Sequence, residues 1–140
     1  MKLPPRVTDV CLVTQDFEES KSFYIEKLGF TLSSEMPGFA DFRAGDLMLA
    51  IWEAERIRNV TGAAAQVGES PGHQVMVAVE LDDPSEIDAM HLELQERGIK
   101  LYGPPNNYPW NARCIYFAGP CGELWEYFAW LEGGKPGEVE

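Results

Sequence analysis

The alternation of apolar and polar residues predicts the same order of elements twice along the chain. The stretch VTDVCLVTQDFEESKSFYIEKLGF (7–30) begins with a β-rich run and continues as an amphipathic segment that stops at Gly29. Asp16 and Glu19 have the D-x-x-E spacing of a helix capping box. This half of the chain therefore opens with a predicted strand and a predicted helix.

The stretch QVMVAVELDDPSEIDAMHLELQERGIKL (74–101) repeats this order. A β-branched run leads to Asp83 as the helix N-cap, Pro84 takes the first helical position, and Gly98 ends the helix. Three apolar residues share one helical face at i, i+3 and i+7: Ile87, Met90 and Leu94. The second half is thus predicted to start with a strand and a longer helix.

A strand–turn–strand pattern follows each helix. GFADFRAGDLMLAIWEAE (38–55) turns at Ala-Gly-Asp, and ARCIYFAGPCGELWEYFAW (112–130) has a longer turn. We therefore predict an α+β fold made of two tandem β-α-β-β-β modules that form a curved, open barrel. One domain is expected over 1–131, with modules at about 6–53 and 74–131, a connection at 54–73 and a flexible tail at 132–140.

The net charge of −12 at pH 7 narrows the range of partners. Nucleic acids and anionic membranes both need a basic surface, so neither is an expected partner. The charge suits a cationic small molecule, although solubility alone also accounts for it.

No apolar run approaches the ~20 residues that span a bilayer. The N-terminus carries no signal-type stretch, and the three cysteines lack C-x-x-C spacing, which favours a cytoplasmic protein.

These segments together resemble the vicinal oxygen chelate superfamily, the group of glyoxalases, bleomycin-resistance proteins and extradiol dioxygenases. Residues 16–24 match its D-x-x-x-S-x-x-F-Y helix start, and YFAGPCGELWEYF (116–128) is similar to its F-x-D-P-D-G-x-x-x-E ending. The resemblance covers about residues 6–130. It implies paired modules, usually in a homodimer. In the metal-using members it also implies a divalent ion held by the first and last strands of each module.

The resemblance maps these four ligand positions onto Asp9, Ala50 or Leu49, Met76 and Glu126. Two carboxylates remain, and the imidazole ligands are missing. A methionine thioether is a soft ligand that suits Cu(I) rather than Zn²⁺, Ni²⁺, Mn²⁺ or Fe²⁺. We therefore expect no cofactor, with a weakly bound divalent metal ion at Asp9 and Glu126 as the alternative.

The two histidines do not restore the metal site. His73 precedes the predicted strand at Met76 and would need a three-residue slip, which would reverse the faces of the strand. His91 lies in the middle of the predicted helix. Both are expected to have exposed or hydrogen-bonded structural roles. The sequence contains no nucleophile motif, phosphate-binding glycine loop or dinucleotide fingerprint.

Side chains on a strand alternate between its two faces, so Glu126 is expected to share a face with Leu124 and Phe128. The same reasoning places Met48 and Trp52 on one face, if Ala50 points inward. The candidate ligand-binding residues are Asp9, Met48, Trp52, Met76, Trp110, Arg113, Glu126 and Phe128. In the segment 103–117, interpreted as a loop, Tyr108 and Trp110 are expected to stack on a planar ligand, with the alternative that Trp110 covers a dimer interface. Arg113 is expected to pair with an anionic ligand group or with Glu126.

Three functions fit this pattern. The first is a homodimeric binding protein that sequesters an aromatic or cationic small molecule in a metal-free cleft. The second is a lyase, isomerase or dioxygenase that uses a degenerate metal site, which the missing ligands disfavour. The third is a structural or regulatory module whose cleft is filled by its own side chains.

Overall fold

The computed structural model describes residues 7–62, 73 and 75–132. The chain divides into two compact units, one ending at residue 69 and the other beginning at residue 70. Half of the predicted connection, residues 63–72, and all but the first residue of the predicted tail at 132–140 lie outside the described residues. No helix among the described residues has the length and apolar character needed to cross a bilayer.

The first unit has the predicted β-α-β-β-β order. Its elements are β1 (Asp9–Thr14), α1 (Phe17–Ser22), which continues as a π-helical turn (Phe23–Lys27), β2 (Leu32–Met36), β3 (Phe39–Ala44), β4 (Leu47–Glu53) and α2 (Ala54–Thr61). The Asp16 side chain caps α1 by accepting a hydrogen bond from the Glu19 amide at 3.0 Å. The strands form one mixed sheet in the order β1-β4-β3-β2, in which β1 runs parallel to β4.

The second unit repeats this architecture. Its elements are β5 (Met76–Glu80), α3 (Pro84–Glu96), β6 (Asn106–Tyr108), β7 (Ala112–Ala118) and β8 (Leu124–Trp130). The sheet order is β5-β8-β7-β6, again with the first and last strands parallel. Asp83 caps α3 by accepting a hydrogen bond from the Ser85 amide at 2.8 Å. The predicted α+β fold of two β-α-β-β-β modules is confirmed.

Alternation along β7 and β8 separates a core face from an open face. Trp125, Tyr127 and Ala129 of β8 are buried, while the residues between them are only partly covered. Ile115 and Phe117 of β7 are also buried, and Phe117 stacks on Trp125 with ring centroids 6.2 Å apart. These side chains pack on the α3 side of the sheet, where Ile87 and Leu94 are fully buried.

Two segments differ from the sequence-based expectation. Residues 54–61 form α2, which was expected to belong to the connection 54–73; its apolar residues Ala54, Ile57 and Val60 do recur at helical spacing, but none of its side chains is buried. The segment 103–117 is not one loop. It contains β6 and most of β7, joined by a turn in which Asn111 adopts a φ of 66°.

The turn between β7 and β8 is built around a buried carboxylate. The Glu123 side chain is 2% exposed and accepts hydrogen bonds from the Cys121 amide at 2.9 Å and from Trp125 Nε1 at 2.8 Å. A Cβ placed on Gly119 would lie 2.2 Å from Glu123 Oε2. The carboxylate therefore occupies the space that a side chain at position 119 would need.

Candidate functional site

The open face of the second sheet concentrates aromatic side chains. Residues with adjacent Cα partners point to the same face, so Tyr116 and Cys114 of β7 lie beside Glu126 and Phe128 of β8. We call this surface the aromatic face. It comprises Glu80, Tyr108, Trp110, Cys114, Tyr116, Glu126, Phe128 and Trp130.

Glu126 lies at the centre of the aromatic face and is hydrogen-bonded. The Tyr116 hydroxyl donates to Glu126 Oε2 at 2.5 Å. The adjacent Cys114 side chain is fully buried and lies within hydrogen-bonding reach of Trp110, Tyr116 and Glu126. A carboxylate among apolar side chains is tolerated when a donor is aimed at it, and Tyr116 supplies that donor.

Two aromatic side chains form one edge of the face. Tyr108 and Trp110 are stacked with ring centroids 4.6 Å apart and planes inclined by 13°. Tyr108 also meets Tyr116 edge-on at 5.9 Å and 87°. Offset-stacked and edge-to-face contacts are the preferred arrangements of aromatic rings. The three rings therefore form one aromatic cluster, and the Tyr116 hydroxyl connects this cluster to the Glu126 carboxylate.

A second carboxylate lies toward the other end of the face. Trp130 Nε1 donates to Glu80 Oε1 at 3.2 Å, and Phe128 meets Trp130 at 5.2 Å and 71°. Glu80 is the Cα partner of Phe128 across the parallel pair. The two carboxylates thus lie on the same face on either side of Phe128, and none of the strand positions on this face carries a lysine or arginine.

The carboxylates are the charged groups of the aromatic face, because the Tyr116 phenol and the Cys114 thiol have raised pKa values. Burial, together with the hydrogen bond to Glu126, raises the pKa of Tyr116 well above its usual range. Burial and the nearby Glu126 charge raise the pKa of the Cys114 thiol. Both groups therefore stay protonated at neutral pH. A buried neutral thiol is a poor nucleophile, so Cys114 acts here as a packing residue.

We expect stability to fall steeply above about pH 10, because the unfolded phenols ionise there while the folded ones resist it. Burial raises the pKa of Tyr127 to about 12, and the pKa of Tyr116 is also raised. A raised folded pKa contributes stability below the unfolded pKa, which is lost as the pH rises through the folded value. Urea unfolding at increasing pH measures this loss.

Tyr116→Phe should flatten the alkaline decline, and adding Tyr127→Phe should flatten it further, because the pKa values of both phenols are raised in the folded protein. Equal declines in the wild-type protein and Tyr116→Phe would contradict the assignment.

The predicted site residues of the first unit lie on its sheet. Asp9 is exposed on β1, accepts a hydrogen bond from the Thr8 hydroxyl at 2.6 Å, and has Met48 as its Cα partner on β4. Trp52 lies four residues further along β4 and meets Phe39 edge-on at 5.8 Å. None of these predicted residues lines the cavity of about 560 Å³ that the first unit carries between the start of α1 and the β2–β3 turn.

Arg113 does not point toward Glu126, so the suggested pairing of the two is wrong. Arg113 lies three positions before Tyr116 on β7, and this odd offset places Arg113 on the α3 side of the sheet, opposite Ala129. Its guanidinium instead pairs with Asp88 of α3, at 2.7 Å and 2.9 Å. Met76 does reach the open face, beside Leu124, but stands at its exposed end with 52% of its surface accessible.

His73 has the structural role expected of it. The residue is exposed, and its ring nitrogens contact the Gly122 carbonyl at 3.0 Å and the Tyr102 hydroxyl at 3.3 Å.

Within the described residues no group of three or more His, Cys, Asp or Glu side chains is arranged to hold a metal ion. The groups on the aromatic face that could ligate a metal are carboxylates, which already accept hydrogen bonds from ring N–H or O–H groups, and a protonated thiol. This set does not fit the imidazole-containing ligand set that the family resemblance implies for its metal-using members.

Sequence reasoning missed four members of the aromatic face: Glu80, Cys114, Tyr116 and Trp130. Trp130 has the same parity on β8 as Glu126 and Phe128, and this signal was available in the sequence. Glu80 and Tyr116 reach the face through strand pairing, which depends on the β7–β8 turn and on the crossover through α3.

Comparison with known proteins agrees with this architecture. Residues 6–127 match the family model described as Glyoxalase/Bleomycin resistance protein/Dioxygenase superfamily. The chain belongs to this superfamily, whose members bind small-molecule substrates or ligands.

Individual relatives support the family and the fold. A crystal structure of a glyoxalase/bleomycin resistance protein/dioxygenase from Nocardioides is 59% identical, covers 100% of this chain and 93% of that one, and superposes with a TM-score of 0.90. The structure of lactoylglutathione lyase from Agrobacterium tumefaciens shares the fold at 20% identity, with a TM-score of 0.73 over 91% of this chain and 96% of that one. The uncharacterized protein YraH of Bacillus subtilis is 24% identical over 131 residues, which cover 90% of this chain and 99% of that protein.

Proposed function

We propose that the protein binds a planar, cationic organic molecule on the aromatic face and sequesters it without metal-dependent chemistry. The observation that carries this proposal is the pairing of stacked rings with two carboxylates on a face whose strand positions carry no basic side chain. Apolar and aromatic walls with a few convergent polar groups are typical of small-molecule sites.

Each part of the face has a role toward such a ligand. The Tyr108–Trp110 pair and Tyr116 offer π-surfaces on which a planar ring can stack. A cation held over such rings gains a further attraction from their negative faces. Glu126 offers its remaining acceptor positions to the charge of the ligand while Tyr116 holds one oxygen in place.

Charge on the whole protein acts in the same direction. A net charge of −12 creates a negative potential that raises the local concentration of cations and their association rate. A neutral or anionic aromatic molecule would gain nothing from this potential. In addition, an anion would face the two carboxylates without a compensating partner on the strand positions of the face. Selection for cations therefore follows from the site and from the surrounding field alike.

Isothermal titration calorimetry with two kinds of titrant tests the proposal. N-methylquinolinium, a small planar cation, is the organic probe, and Mn²⁺, Ni²⁺, Zn²⁺ and Fe²⁺ are the metal probes. We expect saturable binding of the organic cation and no metal binding at micromolar affinity. One metal ion per chain, lost in Glu126→Gln, would instead support the lyase, isomerase or dioxygenase alternative and would overturn the proposal.

A further inference from the structure

The Tyr108–Trp110 pair stands on the shortest strand of its sheet. Strand β6 has three residues, lies at the sheet edge and pairs with β7 alone. A three-residue edge strand gains little stability from its own ladder. The orientation of the stacked rings must therefore depend on contacts other than this ladder.

One guanidinium group supplies such contacts from the opposite side of the sheet. Arg113 Nε and Nη2 donate to the two carboxylate oxygens of Asp88 on α3, at 2.9 Å and 2.7 Å, and Nη1 donates to Asn107 Oδ1 on β6 at 2.8 Å. The planar fork of arginine suits such a bidentate pair and leaves a third donor for another partner. Arg113 thereby connects α3, β7 and β6.

The other end of the segment 108–111, at Asn111, is also held by hydrogen bonds. Asn111 accepts a hydrogen bond from the Glu132 amide at 3.2 Å through its side chain, and its carbonyl accepts from the Leu131 amide at 2.9 Å. The segment 108–111 is therefore held at its start by the Arg113 contact to the preceding residue and at its end by the chain that follows β8. The rings are fixed between these two anchors.

We propose that Arg113 is a positioning residue that sets the Tyr108–Trp110 stack on the opposite face of the sheet by holding Asn107 against α3. Successive residues of a strand point to opposite faces, so restraining the Asn107 side chain on the α3 side fixes the direction of Tyr108 on the other. Tyr108 in turn fixes the orientation of Trp110, because the two rings are stacked. The importance of this stack for ligand binding rests on the function proposed above, whereas the geometry of the restraint does not.

Fluorine NMR of protein labelled with 5-fluorotryptophan tests the restraint without any ligand. Trp110→Phe assigns the Trp110 resonance. We expect Asn107→Ala and Arg113→Met to shift and broaden this resonance. Asn107→Ala keeps the Arg113–Asp88 pair intact and so separates the effect on β6 from a loss of folding. Arg97→Met is the control, because it removes a different arginine paired to α3, through Glu93. An unchanged Trp110 resonance in Arg113→Met would overturn the proposal.

Calorimetry with N-methylquinolinium separates this proposal from the proposed function. Asn107→Ala should weaken binding about 3- to 10-fold, because the ligand must then order the released ring pair, and should change Tm little. If the wild-type protein does not bind the probe but the resonance moves as expected, the proposed function fails and the positioning role stands. If the wild-type protein binds the probe and the resonance does not move, the positioning role fails.

Discussion

Gly119→Ala is expected to lower the free energy of unfolding by about 3 kcal/mol, one of the largest losses that a single methyl group can cause. The new Cβ would lie 2.2 Å from Glu123 Oε2, so the carboxylate has to move. It is 2% exposed and holds the Cys121 amide and Trp125 Nε1. Moving it leaves buried polar groups without partners, which costs about 1–3 kcal/mol for each group. Thermal unfolding should show a Tm lower by about 10 °C.

Two further variants show whether the clash with Glu123 is the cause. Gly122→Ala adds a methyl group in the same turn, where φ is +82° but no atom lies within 4 Å, and should cost only about 1 kcal/mol. In the double variant Gly119→Ala/Glu123→Ala the clash is gone, so the total loss should be clearly smaller than the sum of the two single losses. Additive losses, or equal losses for the two glycine variants, would contradict the explanation.

Trp110→Ala is expected to weaken N-methylquinolinium binding by about 30-fold, because an aromatic side chain that anchors a ligand commonly contributes about 2 kcal/mol or more. The variant removes one ring of the Tyr108–Trp110 stack. Glu126→Gln should weaken binding of the same cation by about 10-fold, because a hydrogen bond to a charged group contributes about 1.5–3 kcal/mol and an amide retains only part of it. Calorimetric titration of each variant measures both losses.

Matched variants in the same unit control for general damage. Tyr102→Ala removes an exposed ring outside the aromatic face, and Glu93→Gln removes a carboxylate on α3. Neither should change the affinity for the probe by more than about twofold, since surface residues distant from a site contribute little. Equal weakening by Trp110→Ala and Tyr102→Ala would contradict binding of the probe on the aromatic face.

The locally encoded parts of this fold were readable from the sequence. The Asp16 and Asp83 caps, Pro84 at the start of α3 and the glycine that ends it act within a few residues, and both caps form as expected. Helix α2 was not predicted, although Ala54, Ile57 and Val60 recur at helical spacing. The segment is short and mostly polar and none of its side chains is buried, so this apolar signal is weak.

The candidate site was only partly predictable, because its members meet through strand pairing. The Tyr116–Glu126 contact requires the β7–β8 register, in which Ala118 faces Leu124 across the turn. Arg113 shows how a correct pattern can be misapplied. Residues 112–117 were assigned both to the predicted strand that opens 112–130 and to the loop 103–117, and the suggested pairing with Glu126 ignored the strand. Alternation along a strand from Ala112 places Arg113 on the α3 side.

The expectation of a metal-free site stays a prediction. It rests on residue types at the positions that the family resemblance assigns, and on the donors present on the aromatic face. Among the described residues, the aromatic face offers carboxylates but no imidazole. One of these carboxylates, Glu126, already accepts a hydrogen bond from the Tyr116 phenol. A site without nitrogen ligands would suit the recognition of organic cations through charge and stacking.

The measurement that tests the central claim most directly compares a matched pair of ligands. N-methylquinolinium and quinoline have the same planar ring system, but only the former carries a permanent charge. The account predicts that the cation binds at least about tenfold more tightly at neutral pH, and that Glu126→Gln removes most of the difference. Equal affinities for the two compounds, or a preference for quinoline, would contradict it.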